Sequence, residues 1–175
     1  MNHESAGNAQ HLFTVGHSSH SLDVFLHLLQ MHGVQVVVDV RSAPYSRHVP
    51  HFSKARLELV LRQHGFRYLF MGDSMGGKPD SPAFRNAAGR VDYAKIAAGG
   101  TFQKGIDRLL EGLAAGWKIV LMCAEEDPAH CHRQWLIARE LELGRKVAVT
   151  HIRADGRLVP AKVLMREIPS QMELF

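Results

Sequence analysis

The sequence predicts a single three-layer α/β domain on a mainly parallel five-stranded sheet, Rossmann-like or flavodoxin-like in arrangement. Three observations carry that expectation. Short apolar runs alternate with segments of helical period; residues 34–40 are almost continuously β-branched, as befits a parallel strand buried on both faces; and polar clusters recur where such runs end.

The elements follow in order. Leu12-Phe13-Thr14-Val15 stops at Gly16 and reads as the first strand. Ser21 caps a helix with Leu22, Phe25, Leu26 and Leu29 at i, i+3, i+4 and i+7, and Gly33 ends it. Residues 34–40 form the second strand, and Asp39-Val40-Arg41 brings charge in where it emerges. Ser53 opens a helix with Leu57, Val60 and Leu61 on one face, closed by Gly65, and residues 67–71 are the third strand. Residues 72–100 are rich in Gly, Pro, Asp and Ser and read as a long loop with one short helix near Tyr93; such loops are usually functional or mobile. Phe102, Ile106, Leu109, Leu110 and Leu113 mark a helix ending at Gly116, before a fourth strand at residues 117–123. Asp127 and Pro128 suit the cap and first turn of a helix over residues 128–143. Residues 146–152 are the fifth strand, and Asp155-Gly156 makes a tight turn before Leu158-Val159. Residues 1–11 are expected to be a flexible N-terminus, 12–165 the domain, and 166–175 a flexible tail.

Composition narrows the class. The chain has 175 residues, 46% hydrophobic and 22% charged, which suits one globular domain with its own core. No apolar run approaches the roughly 18–20 residues of a membrane span, and the start lacks the basic and apolar regions of a secretory signal. A cytoplasmic protein with no membrane association is expected. Two cysteines in a reducing compartment read as free thiols, metal ligands or catalytic groups. A net charge of +4 permits an anionic partner such as nucleic acid or a nucleotide, although the charge is dispersed.

Right-handed crossovers bring the carboxyl ends of parallel strands to one edge, where ligands of such sheets bind. The candidate site residues lie there. His17, Cys123, Glu125 and Cys131 are the catalytic candidates. Cys131, placed in the first turn of a helix beside His132 and Arg133, has the setting that lowers a thiol's pKa; Glu125 and His17 offer a base. Ser18, Arg41, Ser46, Arg47 and Arg133 are the anion- or phosphate-binding candidates, because forked guanidinium donors match phosphate oxygens. The bland alternative is that Cys123 is a small buried hydrophobe and that Cys131 packs with Trp135 and Ala138. Cys123, Cys131, His132 and His17 also carry metal-donor atoms. The Cys-x7-Cys-His spacing fits no common zinc pattern, so no metal is expected, and no cofactor is assigned.

Four segments together resemble the four-eight-eight family of domains of unknown function: Thr14-Val-Gly-His17-Ser18, Asp39-Val-Arg41-Ser-x-Pro44-x-Ser46, Tyr68 before Met71-Gly72, and Cys123-x-Glu125-x5-Cys131-His132-Arg133. The resemblance runs from about residue 12 to 160. It implies a compact α/β domain and supplies no reaction. A looser similarity links the chain to rhodanese-like and Cys-phosphatase domains, but three carboxylates occupy the loop after Cys123, and the sixth residue after it is Ala129. The last five residues, with Gln171, Leu174 and Phe175, are similar to the pentapeptide that binds the bacterial sliding clamp.

The leading expectation is an enzyme or processing factor acting on nucleic acid or nucleotides, linked to DNA repair or replication by the clamp-binding tail, with no reaction class assigned. The alternatives are a Cys-dependent transferase or hydrolase of a small anionic molecule, and a non-catalytic ligand-binding module.

Overall fold

The computed structural model describes residues 11–168. The tail residues Gln171, Leu174 and Phe175 lie outside them. Six strands form one sheet: β1 (His11–Gly16), β2 (Val36–Asp39), β3 (Arg67–Phe70), β4 (Ile119–Cys123), β5 (Ala148–Ile152) and β6 (Leu158–Pro160), in the order β3-β2-β4-β1-β5-β6. The first five are parallel, with Val37 beside Val120 and Gly16 beside Cys123. The fold is a three-layer, Rossmann-like α/β domain. The strand count exceeds the expected five by one, because the chain turns at Gly156 (φ 81°) and Leu158–Pro160 pairs antiparallel with β5.

Alternate residues of each strand serve different layers. Val37, Val120 and Met122 face α1 (Leu22–Met31) and α2 (Lys54–Gln63), meeting Phe25, Leu29, Leu57 and Leu61. Val36, Val38, Ile119 and Leu121 face the other layer, where Phe102, Ile106 and Leu109 come from the long helix. That layer holds α3 (Gly72–Met75), α4 (Tyr93–Ala97), α5 (Gly100–Ala114), α6 (Ala161–Glu167) and a π-helical stretch between β4 and β5. α3 and α6 were not evident from periodicity; α6 continues past the boundary expected at residue 165.

The segment after β4 departs most from expectation. Asp127 accepts from Ala129 N, but the turn it caps is a 3-10 turn of three residues, Pro128–His130. Cys131 is extended (φ −130°, ψ 142°), and its carbonyl accepts from Gln134 N and Trp135 N. Cys131 therefore stands at the entrance of the long helix rather than within its first turn. That helix is wound in π fashion over Arg133–Ala138 and Glu140–Gly144. All six residues of Arg133–Ala138 are buried, an all-round burial seen in helices enclosed by the core. π segments are rare and frequent at functional sites.

After β1 and β2 the chain crosses to the α1/α2 layer; after β3 and β4 it crosses to the other. Central β4, between β2 and β1, thus ends where connections part, the place where such folds open a crevice. Among the described residues no helix is long and apolar enough to cross a membrane.

Candidate functional site

Cys123 ends β4 inside this crevice. The main chain continues the β1–β4 ladder past both strands, with His17 N donating to Cys123 O at 2.9 Å and Ser18 N to Ala124 O at 2.8 Å. The approach is close enough that a Cβ on Gly16 would lie 1.9 Å from Glu125 O, so this position requires glycine.

Arg133 secures the loop from below. It is fully buried; its Nε donates to Thr14 Oγ1 (3.2 Å), Nη1 to Glu125 O and Nη2 to Glu126 O (2.6 Å). Behind it, His151 Nε2 donates to Gln134 Oε1 (2.6 Å), which leaves Nδ1 to accept from the Thr14 hydroxyl (2.7 Å). Burial, then the Arg133 charge, keeps His151 neutral, its pKa lowered to about 3. Glu126 is pinned by both nitrogens of the Arg153 fork, which lowers its carboxyl pKa. With the loop's main chain and Glu126 tied down, the Glu125 side chain remains exposed at the surface of the site.

Two sulfurs and an imidazole nitrogen converge there, with a carboxylate oxygen against both sulfurs. Cys123 Sγ lies 3.1 Å from Glu125 Oε2 and 3.7 Å from His132 Nδ1. Cys131 Sγ lies 3.5 Å from the same carboxylate oxygen and 3.8 Å from the same ring nitrogen. The opposite ring nitrogen, His132 Nε2, donates to Val40 O at 3.1 Å, which turns Nδ1 toward the sulfurs. Cys123, Cys131 and His132 are all buried, and their donor atoms lie within 4.8 Å of one another. The Cys-x7-Cys-His spacing, unfamiliar as a linear pattern, is thus drawn together by the extended backbone at Cys131. Ionisation is divided between the thiols. Contact with Cys131 and burial push the Cys123 thiol well up. Burial also resists ionisation of Cys131, yet contacts with Cys123 and His132 and the Arg133 charge pull that thiol well below its ordinary value.

A second buried network flanks the cluster. Asp39 is inaccessible and accepts from Arg41 Nε (2.9 Å), Arg41 Nη2 (2.7 Å) and Tyr68 Oη (2.7 Å). Arg41 Nη1 donates to His17 Nε2 (3.0 Å), while His17 Nδ1 donates to Ser18 O (2.9 Å). Burial lowers the His17 pKa to about 4. Its ring is stacked on Phe52, centroids 4.3 Å apart.

The site residues expected from sequence therefore separate into two groups. Cys123, Glu125 and Cys131 meet directly. His17, Arg41 and Arg133 adjoin them, but His17 and Arg133 are closed into internal hydrogen bonds. Arg41 donates to Asp39, His17 and Phe52 O, and also lines the cleft at Cys123. Ser18 contributes main-chain groups, with φ 47°; Ser46 Oγ accepts from Val49 N; Arg47 is exposed. Lys78 was not anticipated. It lines a cleft of about 120 Å³ together with Arg41, Ser42, Cys123, Glu125 and His132. Gly77 puts the loop against the His132 ring: a Cβ there would come within 2.5 Å of it. The glycine-rich composition of residues 72–77 was the available signal. Tyr93 also belongs to these surroundings; burial, then the charges of Cys131, Cys123 and Glu125, push its phenol up.

Residues 21–139 match the family described as Domain of unknown function DUF488. No curated protein and no solved structure matches the chain.

Proposed function

The chain belongs to the DUF488 family, and from that premise we propose that this member is a metal-dependent hydrolase of a small anionic molecule. The observation that carries the reading is the convergence of Cys123 Sγ, Cys131 Sγ and His132 Nδ1, with Glu125 Oε2 against both sulfurs. Zinc bonds of about 2.3 Å to sulfur and about 2.0–2.1 Å to nitrogen or oxygen, at tetrahedral angles, separate neighbouring ligand atoms by roughly 3.5 Å. The four sulfur-to-Nδ1 and sulfur-to-Oε2 separations here run from 3.1 to 3.8 Å. Two sulfurs and an imidazole nitrogen drawn together, with a carboxylate oxygen against the sulfurs, call for positive charge. Arg133 answers part of that demand, since its N–H groups meet carbonyls and a hydroxyl rather than a carboxylate.

The roles differ by exposure. Cys123, Cys131 and His132 are buried and serve as permanent ligands. Glu125 is exposed and would either complete the ion's ligands or act as the base that takes a proton from a nearby water and returns it to the leaving group. A bound cation would supply the acidity of that water. Lys78, at the mouth of the cleft, meets the substrate's charge. Arg41 and Arg133 have internal partners, which favours a small anion over an extended phosphate backbone. Recruitment to DNA through Gln171, Leu174 and Phe175 is a separate proposal, tested by calorimetry of a peptide of residues 167–175 with purified sliding clamp.

The test is elemental analysis of the purified chain, followed by cobalt substitution. About one zinc-class ion per chain and an intense cobalt–thiolate absorption are expected, both lost in Cys131→Ser and His132→Ala. A folded chain that takes up neither metal and keeps two titratable thiols overturns the reading. The low-pKa Cys131 thiolate would then be the reactive group.

A further inference from the structure

The cleft beside the four donors continues into a cavity of about 630 Å³, the two sharing Ser42, Ala43 and Lys78. A site for a small molecule occupies roughly 300–1,000 Å³, so this space holds far more than a simple anion. Its chemistry changes from one part to another. Lys78 and Ser42 stand at the junction with the cleft; Asp73 and Asp80 contribute carboxylates to the wall; half-buried Phe84 contributes aromatic surface, with the core residue Phe102 behind it. Carboxylates repel an anion and accept from hydroxyl groups, so the anionic end of a ligand belongs at Lys78 and its hydroxylated part beside the aspartates. Aromatic surface suits a planar, weakly polar group, against which it gains dispersion and stacking.

We infer that this cavity binds a nucleoside monophosphate, with the phosphate at Lys78 beside the donor cluster, the ribose beside Asp73 and Asp80, and the base against Phe84. The inference deepens the hydrolase reading by naming a substrate class, and it rests on that reading for the orientation of the phosphate. A sugar phosphate satisfies Lys78 and the aspartates but leaves the aromatic wall bare. Inorganic phosphate satisfies Lys78 alone. The aromatic wall therefore separates a nucleotide from both.

Gly100 supplies a way to block the cavity. It lines the wall, and a Cβ added to it meets no heavy atom within 4 Å, so a larger side chain enters open space. The experiment is calorimetry on the metal-loaded full chain with adenosine, guanosine, cytidine and uridine 5′-monophosphates, ribose 5-phosphate and inorganic phosphate as probes. At least one nucleotide should bind about tenfold or more tightly than ribose 5-phosphate and phosphate. Gly100→Leu should abolish that advantage while leaving metal content and the circular dichroism spectrum unchanged. Lys78→Ala should weaken nucleotide and phosphate alike. Equal affinities for nucleotide and phosphate, or an unchanged nucleotide affinity in both variants, would overturn the inference. The two readings fail separately. Metal uptake without nucleotide binding leaves the centre and removes the nucleotide; Gly100-sensitive nucleotide binding without metal does the reverse.

Discussion

His132 is aimed by a strand end far from its own: its Nε2 donates to the Val40 carbonyl at 3.1 Å, across 92 residues of sequence. Val40 lies between Asp39 and Arg41, which form a buried ion pair of 2.7 Å. The pair thus fixes the carbonyl that fixes the imidazole. This gives Asp39-Val40-Arg41 a positioning role, beside which Arg41 also lines the cleft.

Asp39→Asn should therefore disturb both fold and site. Breaking a buried pair by removing one charge costs about 3–5 kcal/mol. Loss of the support behind a metal-bound histidine lowers metal affinity about 10- to 100-fold. Urea unfolding measures the first effect and competition with a chelator the second. Unchanged metal affinity in a clearly destabilised variant would detach Val40 from the site.

The thiols should differ in reactivity. In chain stripped of metal at neutral pH, iodoacetamide should modify Cys131 before Cys123, because Arg133 and His132 favour its thiolate while contact with Cys131 and burial hold Cys123 protonated. Zinc should protect both. Peptide mass spectrometry reads the order directly, and equal rates with and without metal would argue against a shared centre.

Glu125→Gln should retain most of the bound metal, since three buried ligands remain. Hydrolysis of a chromogenic phosphate or acetate ester should fall by about 10²–10⁴-fold, the usual contribution of a positioned base. A variant that loses metal and keeps the residual rate would make Glu125 a ligand only.

Stability should decline as pH falls below about 6.5. His17 and His151 are held neutral in the fold, with pKa values lowered from 6.5 to about 4 and about 3. The unfolded chain therefore binds more protons throughout that window. The stabilisation is complete above pH 6.5, is lost progressively toward pH 4 for His17 and pH 3 for His151, and changes no further below those values. Urea unfolding at pH 7, 6, 5 and 4.5 should show the decline, and His17→Gln should reduce its slope. An identical slope in that variant would remove His17 from the account.

Much of the fold was legible because the β-branched run at residues 34–40 and the apolar run at 119–123 have few alternatives to a buried parallel strand. The short β6 was harder: three residues become a strand by pairing with β5. The π winding after Cys131 was invisible, since Asp127 and Pro128 signal a helix start while the backbone break at Cys131 follows from tertiary contacts. In the site, Cys123, Glu125 and Cys131 were evident from residue type and position at a strand end. The internal hydrogen bonds of Arg41 and Arg133 were not. A guanidinium bound to main-chain carbonyls such as Phe52 O, Glu125 O and Glu126 O leaves no partner to read in the sequence. The nearness of Cys123, Cys131 and His132 is not legible from the Cys-x7-Cys-His spacing, because the extended backbone at Cys131 sets where its side chain points.

The position of β4 between β2 and β1 also bears on kinetics. Central strands exchange their amide hydrogens on the timescale of global opening, whereas surface loops open continually. Cys123 is carried by such a strand, and Glu125 by an exposed turn two residues later. Entry and departure of a bound ion would then follow the rapid swing of one carboxylate rather than melting of the sheet, so a chelator should strip the ion in a chain whose β4 amides remain protected.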